Sequence, residues 1–296
     1  MRLGVVLPTY PRGATVEGVA QVAEAAERLG FASVWTTDHV ILPQGSAGPY
    51  DEILEPLLTL AYIAPLTRQV QLGISVIVVP QRNGVVLAKE LATLDRLCGG
   101  RLIAGVGAGW SEEEFTMLGV GDRFHHRGKY LDETLRLWNH LWTTPDAPYR
   151  SQYYDLPAVA FGPRPVQTGG LPIWVGGASE GARRRAGRIG AAWHPVGISA
   201  LDLAVQSRLV HQSATQAGRP SPEIAPRLPI QFGAGSEALA VGRMQTIQGS
   251  PHEVLAQLRD YAQAGASEIV CLFNSPDGNV VVEQMEIMAE HVMPAL

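Results

Sequence analysis

The stretch IWVGGAS, residues 173–179, shows how this chain is built. An apolar run comes first, and such runs are typical of parallel strands that are buried on both faces. Two glycines follow, and Ser179 then precedes a helical pattern over Glu180–Ile189, where serine is a favoured N-cap residue. The stretch therefore predicts one strand followed by one helix.

Seven further units of the same kind follow one another along the chain. Their strands are predicted at Leu3–Leu7, Ser33–Thr37, Val70–Val76, Leu102–Val106, Ala191–Val196, Pro229–Phe232 and Ile269–Phe273. Their helices are predicted at Val16–Leu29, Glu55–Pro65, Val85–Leu97, Tyr130–Trp142, Leu201–Ala217, Val280–Val292 and from the capping box Ser250–Glu253 onward. Parallel strands joined by crossover helices form either an open sheet or a closed barrel. Eight units in 296 residues favour an α/β fold, the (β/α)₈ TIM barrel, as a single domain over residues 1–296.

Two segments are longer than a barrel needs. One insertion, Gly107–Gly128, follows strand four, and its Ser111–Glu114 portion reads as a capping box before a short helix. The other insertion, Thr143–Leu171, precedes strand five and is rich enough in proline, glycine and tyrosine to hold a hairpin. Because long loops in compact domains are usually functional, we expect both insertions to shape a site.

Composition excludes several classes of protein. The net charge of −5 argues against nucleic acid as a partner. The two cysteines, Cys98 and Cys271, are too far apart in sequence for a redox or metal pair, and we see no other metal motif. We find no run of 18 apolar residues and no signal peptide, so we expect a cytoplasmic protein without a membrane partner.

In such a barrel the active site lies at the carboxyl ends of the strands. His39 stands at one of these ends, where an imidazole can donate or accept a proton near neutral pH, and the adjacent Asp38 can hold part of the loop. A buried structural histidine is the alternative interpretation. The turn formed by Gly176, Gly177, Ala178 and Ser179 leads into a helix N-terminus and suits a phosphate, although an ordinary N-cap would look the same.

The glycines after strand four do not form a dinucleotide fingerprint. The third glycine of G-x-G-x-x-G would fall at Trp110, and the motif follows strand four rather than strand one. Close backbone approach to a flat ring is a better use of Gly107 and its neighbours.

Taken together and in order, these motifs resemble the luciferase-like monooxygenase superfamily of flavin and deazaflavin oxidoreductases. The residues that carry the resemblance span nearly the whole chain: 23–31 with 35–39, 72–76, 88–97, 99–110, 127–133 and 172–179. Within that superfamily the chain is similar to the compact F420-dependent oxidoreductases, because it is short and has the Asp38-His39 pair.

The resemblance implies a homodimer and a flavin-like ring at the strand ends. A bulge at Ser75 and Val76, often with a non-proline cis peptide, would back the ring, and residues 176–179 would hold its phosphate. In several F420-dependent members of the family the histidine of this pair is an active-site acid/base, which implies that role for His39. We expect Tyr10, Trp35 and Trp110 to shape the substrate side. The implied cofactor-binding set is Asp38, His39, Ser75, Val76, Gly107, Gly176, Gly177, Ala178 and Ser179.

The departure from one subgroup is informative. F420-dependent glucose-6-phosphate dehydrogenases carry a glutamate where this chain has Trp110, which disfavours a sugar and favours an apolar substrate. We therefore predict hydride transfer between C5 of coenzyme F420 and a small organic molecule. The alternatives are an FMN-dependent monooxygenase that uses O₂ and a non-catalytic flavin- or deazaflavin-binding protein.

Overall fold

The chain forms a barrel of parallel strands surrounded by helices. The structure is a computed structural model that describes residues 1–10, 14–45, 48–50, 52–233 and 244–296. The barrel strands are β1 (Arg2–Val6), β2 (Ser33–Thr36), β3 (Gln71–Ile74), β4 (Leu102–Gly107), β5 (Ile173–Gly176), β6 (Ala192–His194), β7 (Arg227–Phe232) and β8 (Glu268–Phe273). All eight predicted strands are present, with boundaries that differ by a few residues.

The strands follow one another around the barrel in chain order. β1 to β6 pair in parallel in sequence, and β8 pairs with both β1 and β7. The barrel closes between β6 and β7, where the Ala225 and Arg227 amides donate to the carbonyl oxygens of Trp193 and Pro195 at 2.9 and 2.8 Å. The predicted (β/α)₈ barrel is therefore confirmed.

The helices lie outside the barrel and end close to the predicted positions. They are α1 (Val16–Leu29), α2 (Pro56–Ile63), α3 (Gly84–Leu97), α4 (Glu112–Met117), α5 (Arg127–Thr143), α6 (Glu180–Ile189), α7 (Ala200–Gln216), α8 (Pro251–Gln263) and α9 (Gly278–His291). The bounds of α1 and α6 are the predicted ones, and α8 begins with the predicted capping box. None of the helices in the described ranges combines the length and hydropathy needed to cross a membrane.

Both insertions carry local structure. The first holds α4 and a 3₁₀ helix at Gly121–His126. The second holds the expected hairpin, in which Tyr149–Arg150 pairs antiparallel with Asp155–Leu156. A further short strand, Ile247–Gly249, pairs in parallel with β7 and was not expected from the sequence.

The backbone bulges inward where β3 ends. The peptide bond between Ser75 and Val76 is cis, as the family resemblance implies, and Ile77–Val78 then resumes pairing with β4. Gly105 of β4 lies directly against this bulge, because a Cβ atom built on Gly105 would stand 1.7 Å from the Ile74 carbonyl oxygen. Any side chain at position 105 must displace one of the two strands.

We predict that Gly105→Ala lowers the free energy of unfolding by about 3 kcal/mol or more, because the methyl group overpacks a site made of backbone. Denaturant unfolding measures this change. Gly181→Ala is the matched control, since no heavy atom lies closer than 4.0 Å to a Cβ at that helical position. Equal stability of the two variants would contradict the prediction.

Candidate active site

A cavity of about 590 Å³ opens at the carboxyl ends of the strands. The sequence-predicted residues that line it are Asp38, His39, Ser75, Val76, Gly107, Trp110, Gly176, Gly177, Ala178 and Ser179. Residues from four strand ends, far apart in the sequence, therefore meet in one place. Their individual roles stay predictions.

His39 is held by a carboxylate from the first insertion. Its Nδ1 atom lies 3.1 Å from Glu114 Oε2, and both side chains are almost fully buried. The His39 ring also contacts the rings of Tyr50 and Trp110, with centroids 4.8 and 5.6 Å apart. A carboxylate on Nδ1 orients the imidazole and leaves Nε2 as the nitrogen for proton exchange.

The Glu114 carboxylate faces four hydrogen-bond donors, of which the Ile41 amide, at 3.4 Å, is the most distant. Its carboxylate accepts hydrogen bonds from the Val40 amide at 2.8 Å and from Gln81 Nε2 at 2.8 Å, besides facing His39. Burial pushes the pKa of Glu114 up, but the hydrogen bonds from His39, Gln81 and Val40 outweigh burial and lower its pKa below the usual value. The carboxyl group is therefore ionised at neutral pH.

Asp38 organises the loop rather than offering a free carboxylate. Its two oxygens each accept one hydrogen bond from the Arg82 guanidinium at 2.7 Å, and Oδ2 also accepts from the Val78 amide at 2.7 Å. Its side chain is fully buried. These contacts agree with the expectation that the Asp38 carboxylate holds part of the loop. Asp38 also lines the cavity, and its role in cofactor binding stays a prediction.

Ser75 belongs to a polar network beneath the cavity. The Ser75 hydroxyl lies 2.8 Å from His194 Nε2, while His194 Nδ1 faces the Ala225 carbonyl oxygen. Because a carbonyl can only accept, Nδ1 donates and Nε2 accepts from Ser75. Burial lowers the pKa of His194 to about 4, so this imidazole is neutral. Arg227 reaches the same serine from β7.

Two of the three predicted substrate residues lie elsewhere. Trp35 is fully buried inside the barrel, where its ring packs on Trp174 and His194 with centroids 4.7 and 5.1 Å apart. Tyr10 is 3% exposed and accepts a hydrogen bond from Arg227. Neither side chain lines the cavity, because both point into the barrel. Trp110 does line it and is 62% exposed at the rim.

The turn after β5 has the form expected of a phosphate site. Ser179 is the N-cap of α6, its hydroxyl accepting from the Ala182 amide at 3.2 Å, and Gly177 has a φ of 96° that favours glycine. Arg127 and Arg185 line the cavity nearby. Arg185 is paired with Asp132, whereas Arg127 donates to the carbonyl oxygens of Gly109 and Phe124.

Val76 explains the glycines of the cavity wall. A Cβ atom on Gly107 would lie 2.5 Å from one Val76 methyl group, and a Cβ on Gly176 would lie 2.8 Å from the other. Because these glycines have no side chain, they leave room for the bulge at Ser75 and Val76. The bulge forms the wall of the cavity against which a flat ring could lie. The wall and the adjacent helix N-terminus fit a ring with a phosphate-bearing side chain. Within the described ranges, no three potential metal-ligating side chains converge.

The sequence alone did not reveal Glu114, His194 or Arg227 as site residues. The only sequence signal for Glu114 was the capping box at the start of α4. The Ser111 hydroxyl does accept a hydrogen bond from the Glu114 amide, as that motif predicts. The Glu114 carboxylate, however, faces His39. His194 lies within the predicted strand Ala191–Val196, where no sequence pattern distinguishes it from a buried structural histidine. Arg227 precedes the predicted strand and so escaped notice.

A (β/α)₈ barrel with a histidine at the β2 end, a cis bulge after β3 and a helix N-terminus after β5 has the layout of a flavin-type oxidoreductase. The profile of the luciferase-like monooxygenase family matches residues 1–240. The chain belongs to this family.

Named relatives carry the comparison further. The chain is 32% identical over 177 residues to an F420-dependent glucose-6-phosphate dehydrogenase of Amycolatopsis mediterranei (strain U-32), an alignment that covers 58% of this chain and 51% of that protein. The chain thus spans about half the length of that relative.

Solved structures share the whole fold at low sequence identity. An F420-dependent secondary alcohol dehydrogenase in complex with an F420-acetone adduct has a TM-score of 0.86 at 18% identity, covering 99% of this chain and 98% of that one. The oxygenating constituent of 3,6-diketocamphane monooxygenase from Pseudomonas putida, in complex with FMN, has a TM-score of 0.80 at 16% identity, covering 99% and 98%.

We predict that Glu114→Gln lowers the free energy of unfolding at neutral pH by about 2 kcal/mol, the value of charged hydrogen bonds. Because the folded-state pKa of Glu114 is lowered from 4.5, its contribution is complete above pH 4.5 and is lost as the pH falls through the lowered value. The difference between wild type and variant should therefore shrink on acidification.

Denaturant unfolding at several pH values measures this difference. Glu113→Gln is the matched control, because Glu113 lies beside Glu114 on α4 and is exposed. A Glu114→Gln effect that stays constant down to the acid limit of folding would be incompatible with a buried, ionised carboxylate.

Proposed function

We propose that the protein is an F420-dependent oxidoreductase that transfers a hydride between C5 of the deazaflavin and a small, apolar organic substrate. The observation that carries the proposal is the buried His39–Glu114 pair, of which His39 lines the same cavity as the cis bulge at Ser75 and Val76. The names of the dehydrogenase relatives support the choice of cofactor.

Bound F420 would supply a hydride acceptor or donor at C5, and it is an obligate hydride carrier. The protein has to hold the ring, exclude water and handle the proton. The bulge would back the ring, and the residues 176–179 with the N-terminus of α6 would hold the phosphate. Arg127, at the cavity rim, is the candidate for contact with the acidic tail of the coenzyme.

His39 is the proposed proton donor and acceptor. Glu114 fixes the orientation of the imidazole through Nδ1, so that Nε2 is presented to the cavity. An ionised Glu114 also stabilises the imidazolium form that arises when His39 accepts a proton. His39 is thus the catalytic residue, and Glu114 is a positioning residue.

The substrate side is aromatic. Tyr50 and Trp110 flank His39, and Trp110 is exposed at the cavity mouth, where it can cover an apolar molecule. An alkene, ketone or imine that is reduced by the coenzyme suits this environment, because such a group accepts a hydride at carbon and a proton from His39.

An FMN-dependent monooxygenase is the second candidate, favoured by the similarity to an FMN-bound monooxygenase structure. A non-catalytic flavin- or deazaflavin-binding protein is the third. Titration of purified protein with F420 and with FMN, followed by tryptophan fluorescence, distinguishes the first two. Micromolar or tighter binding of F420 with weak binding of FMN is the expected result. The opposite preference would replace this proposal with the FMN enzyme.

The proposed phosphate site has its own test. We predict that Ser179→Asp weakens coenzyme binding by about tenfold or more, because a carboxylate repels the phosphate while aspartate remains a good N-cap. Ser199→Asp is the matched control: Ser199 caps α7 with nearly the same backbone angles and lies outside the cavity lining. If both variants bind the coenzyme as wild type does, the phosphate lies elsewhere.

We predict that His39→Ala lowers kcat by about tenfold or more and leaves coenzyme affinity nearly unchanged, because it removes proton transfer and not the ring wall. Steady-state kinetics with F420 and a panel of reducible compounds gives kcat, and the fluorescence titration gives affinity. His252→Ala, an exposed substitution on α8, controls for the loss of an imidazole. Unchanged turnover in His39→Ala would remove this residue from the mechanism.

The homodimer and the cytoplasmic location stay predictions. Light scattering on purified protein measures the first, and fractionation of the producing cells measures the second.

A further inference from the structure

Arg227 crosses the barrel beneath the cavity. Its side chain starts on β7, and one guanidinium nitrogen donates to Thr37 Oγ1 at 2.9 Å and to the Ser75 carbonyl oxygen at 3.0 Å. The other donates to the Tyr10 hydroxyl group. The guanidinium therefore links β7 to residues that follow β1, β2 and β3.

The charge of Arg227 has no counter-ion in the described part of the chain. Among the described residues, the hydrogen-bond partners of its guanidinium are all neutral oxygens, no carboxylate lies within 4.0 Å of it, and its Nε has no hydrogen-bond partner. The residue is only 4% exposed. Burial lowers the pKa of Arg227 to about 10, which still leaves the group protonated at neutral pH.

The other charged groups around the cavity are arranged differently. Asp38 is paired with Arg82, Arg185 with Asp132, and His39 with Glu114. His194 is neutral, as its lowered pKa shows. Arg127 has no carboxylate partner among the described residues, but it is partly exposed. The cavity floor thus carries a buried positive charge that the described residues leave uncompensated.

A buried cation without a partner is costly, and an anion that binds beside it removes part of that cost. Arg227 lines the cavity and bonds the carbonyl oxygen of Ser75, the first residue of the cis bulge. Its charge therefore lies directly behind the wall against which the ring is proposed to rest.

Hydride transfer creates such an anion. A hydride carries two electrons and one proton, so a ring that has received one at C5 carries one more negative charge than the oxidised ring unless a second proton follows. The same anion is the hydride donor when the coenzyme reduces the substrate. In a buried site that added charge needs a nearby positive group.

We propose that Arg227 stabilises negative charge on the bound deazaflavin ring, so that the ring is held in its anionic form. This inference rests on the proposed function, since it takes the ring of F420 as the ligand. Arg227 acts through its charge and is not a proton carrier.

The test uses the acidic hydroxyl group of the oxidised deazaflavin, whose ionisation changes the absorbance of the ring. A cation near the ring lowers the pKa of that hydroxyl group. We expect Arg227→Gln to raise the pKa of the bound ring by about one unit or more, which is a tenfold change in its ionisation constant. Absorbance titration of the complex against pH measures this value without turnover.

Two variants separate charge from structure. Arg227→Lys keeps the positive charge and should keep the ring pKa close to that of wild type. Tyr10→Phe removes one partner of Arg227 without changing the charge and should do the same. A ring pKa that is the same in Arg227→Gln and wild type overturns the inference, and so does an equal rise in all three variants, since that would be a packing effect.

The wild-type protein provides an independent measurement if Arg227→Gln does not fold. The ring pKa of bound F420 should be lower than that of free F420 by about one unit or more, and an equal or higher value overturns the inference. Failure to bind F420 at all would instead overturn the proposed function, so the two outcomes are distinguishable.

Discussion

The close approach of β3 and β4 is the constraint on which the site depends. Gly105 leaves room for the Ile74 carbonyl, and Gly107 and Gly176 leave room for the methyl groups of Val76. Because these positions carry no side chain, the backbone at Ser75 and Val76 can turn inward at the end of β3. That inward turn brings Ser75 against His194 and Arg227 and forms the wall of the cavity.

The barrel and its first insertion supply different parts of the site. The strand ends supply a wall, a histidine and a helix N-terminus, all fixed by the sheet. The first insertion supplies Trp110 at the rim and Glu114 behind His39. A loop can change its side chains without disturbing strand pairing, so chemistry and substrate choice are expected to vary there while the barrel is retained.

Charge is placed in two different ways around the cavity. Asp38, Glu114 and Arg185 each have a partner that satisfies them and fixes a loop or a ring. Arg227 instead has neutral partners among the described residues, which is an unfavourable arrangement unless a ligand brings negative charge. The paired groups therefore give the site its shape, and the buried arginine is the group that we propose stabilises an anionic ligand.

The sequence by itself determined the barrel, the order of its eight units, both insertions and the group of strand-end residues that line the cavity. These follow from local patterns: apolar runs, helix caps and glycine turns repeat in chain order, and parallel strands have to place their carboxyl ends together. Only the tertiary structure decided which side chains contact one another in the site. Trp35 was expected beside the substrate but is buried inside the barrel. Tyr10 was also expected there but accepts a hydrogen bond from Arg227. The Glu114 carboxylate faces His39 instead of completing the capping box. Local sequence patterns do not show how distant elements pack against each other. That packing decides where a side chain at a strand end points, and it decides contacts between residues that are 75 or 217 positions apart in the chain.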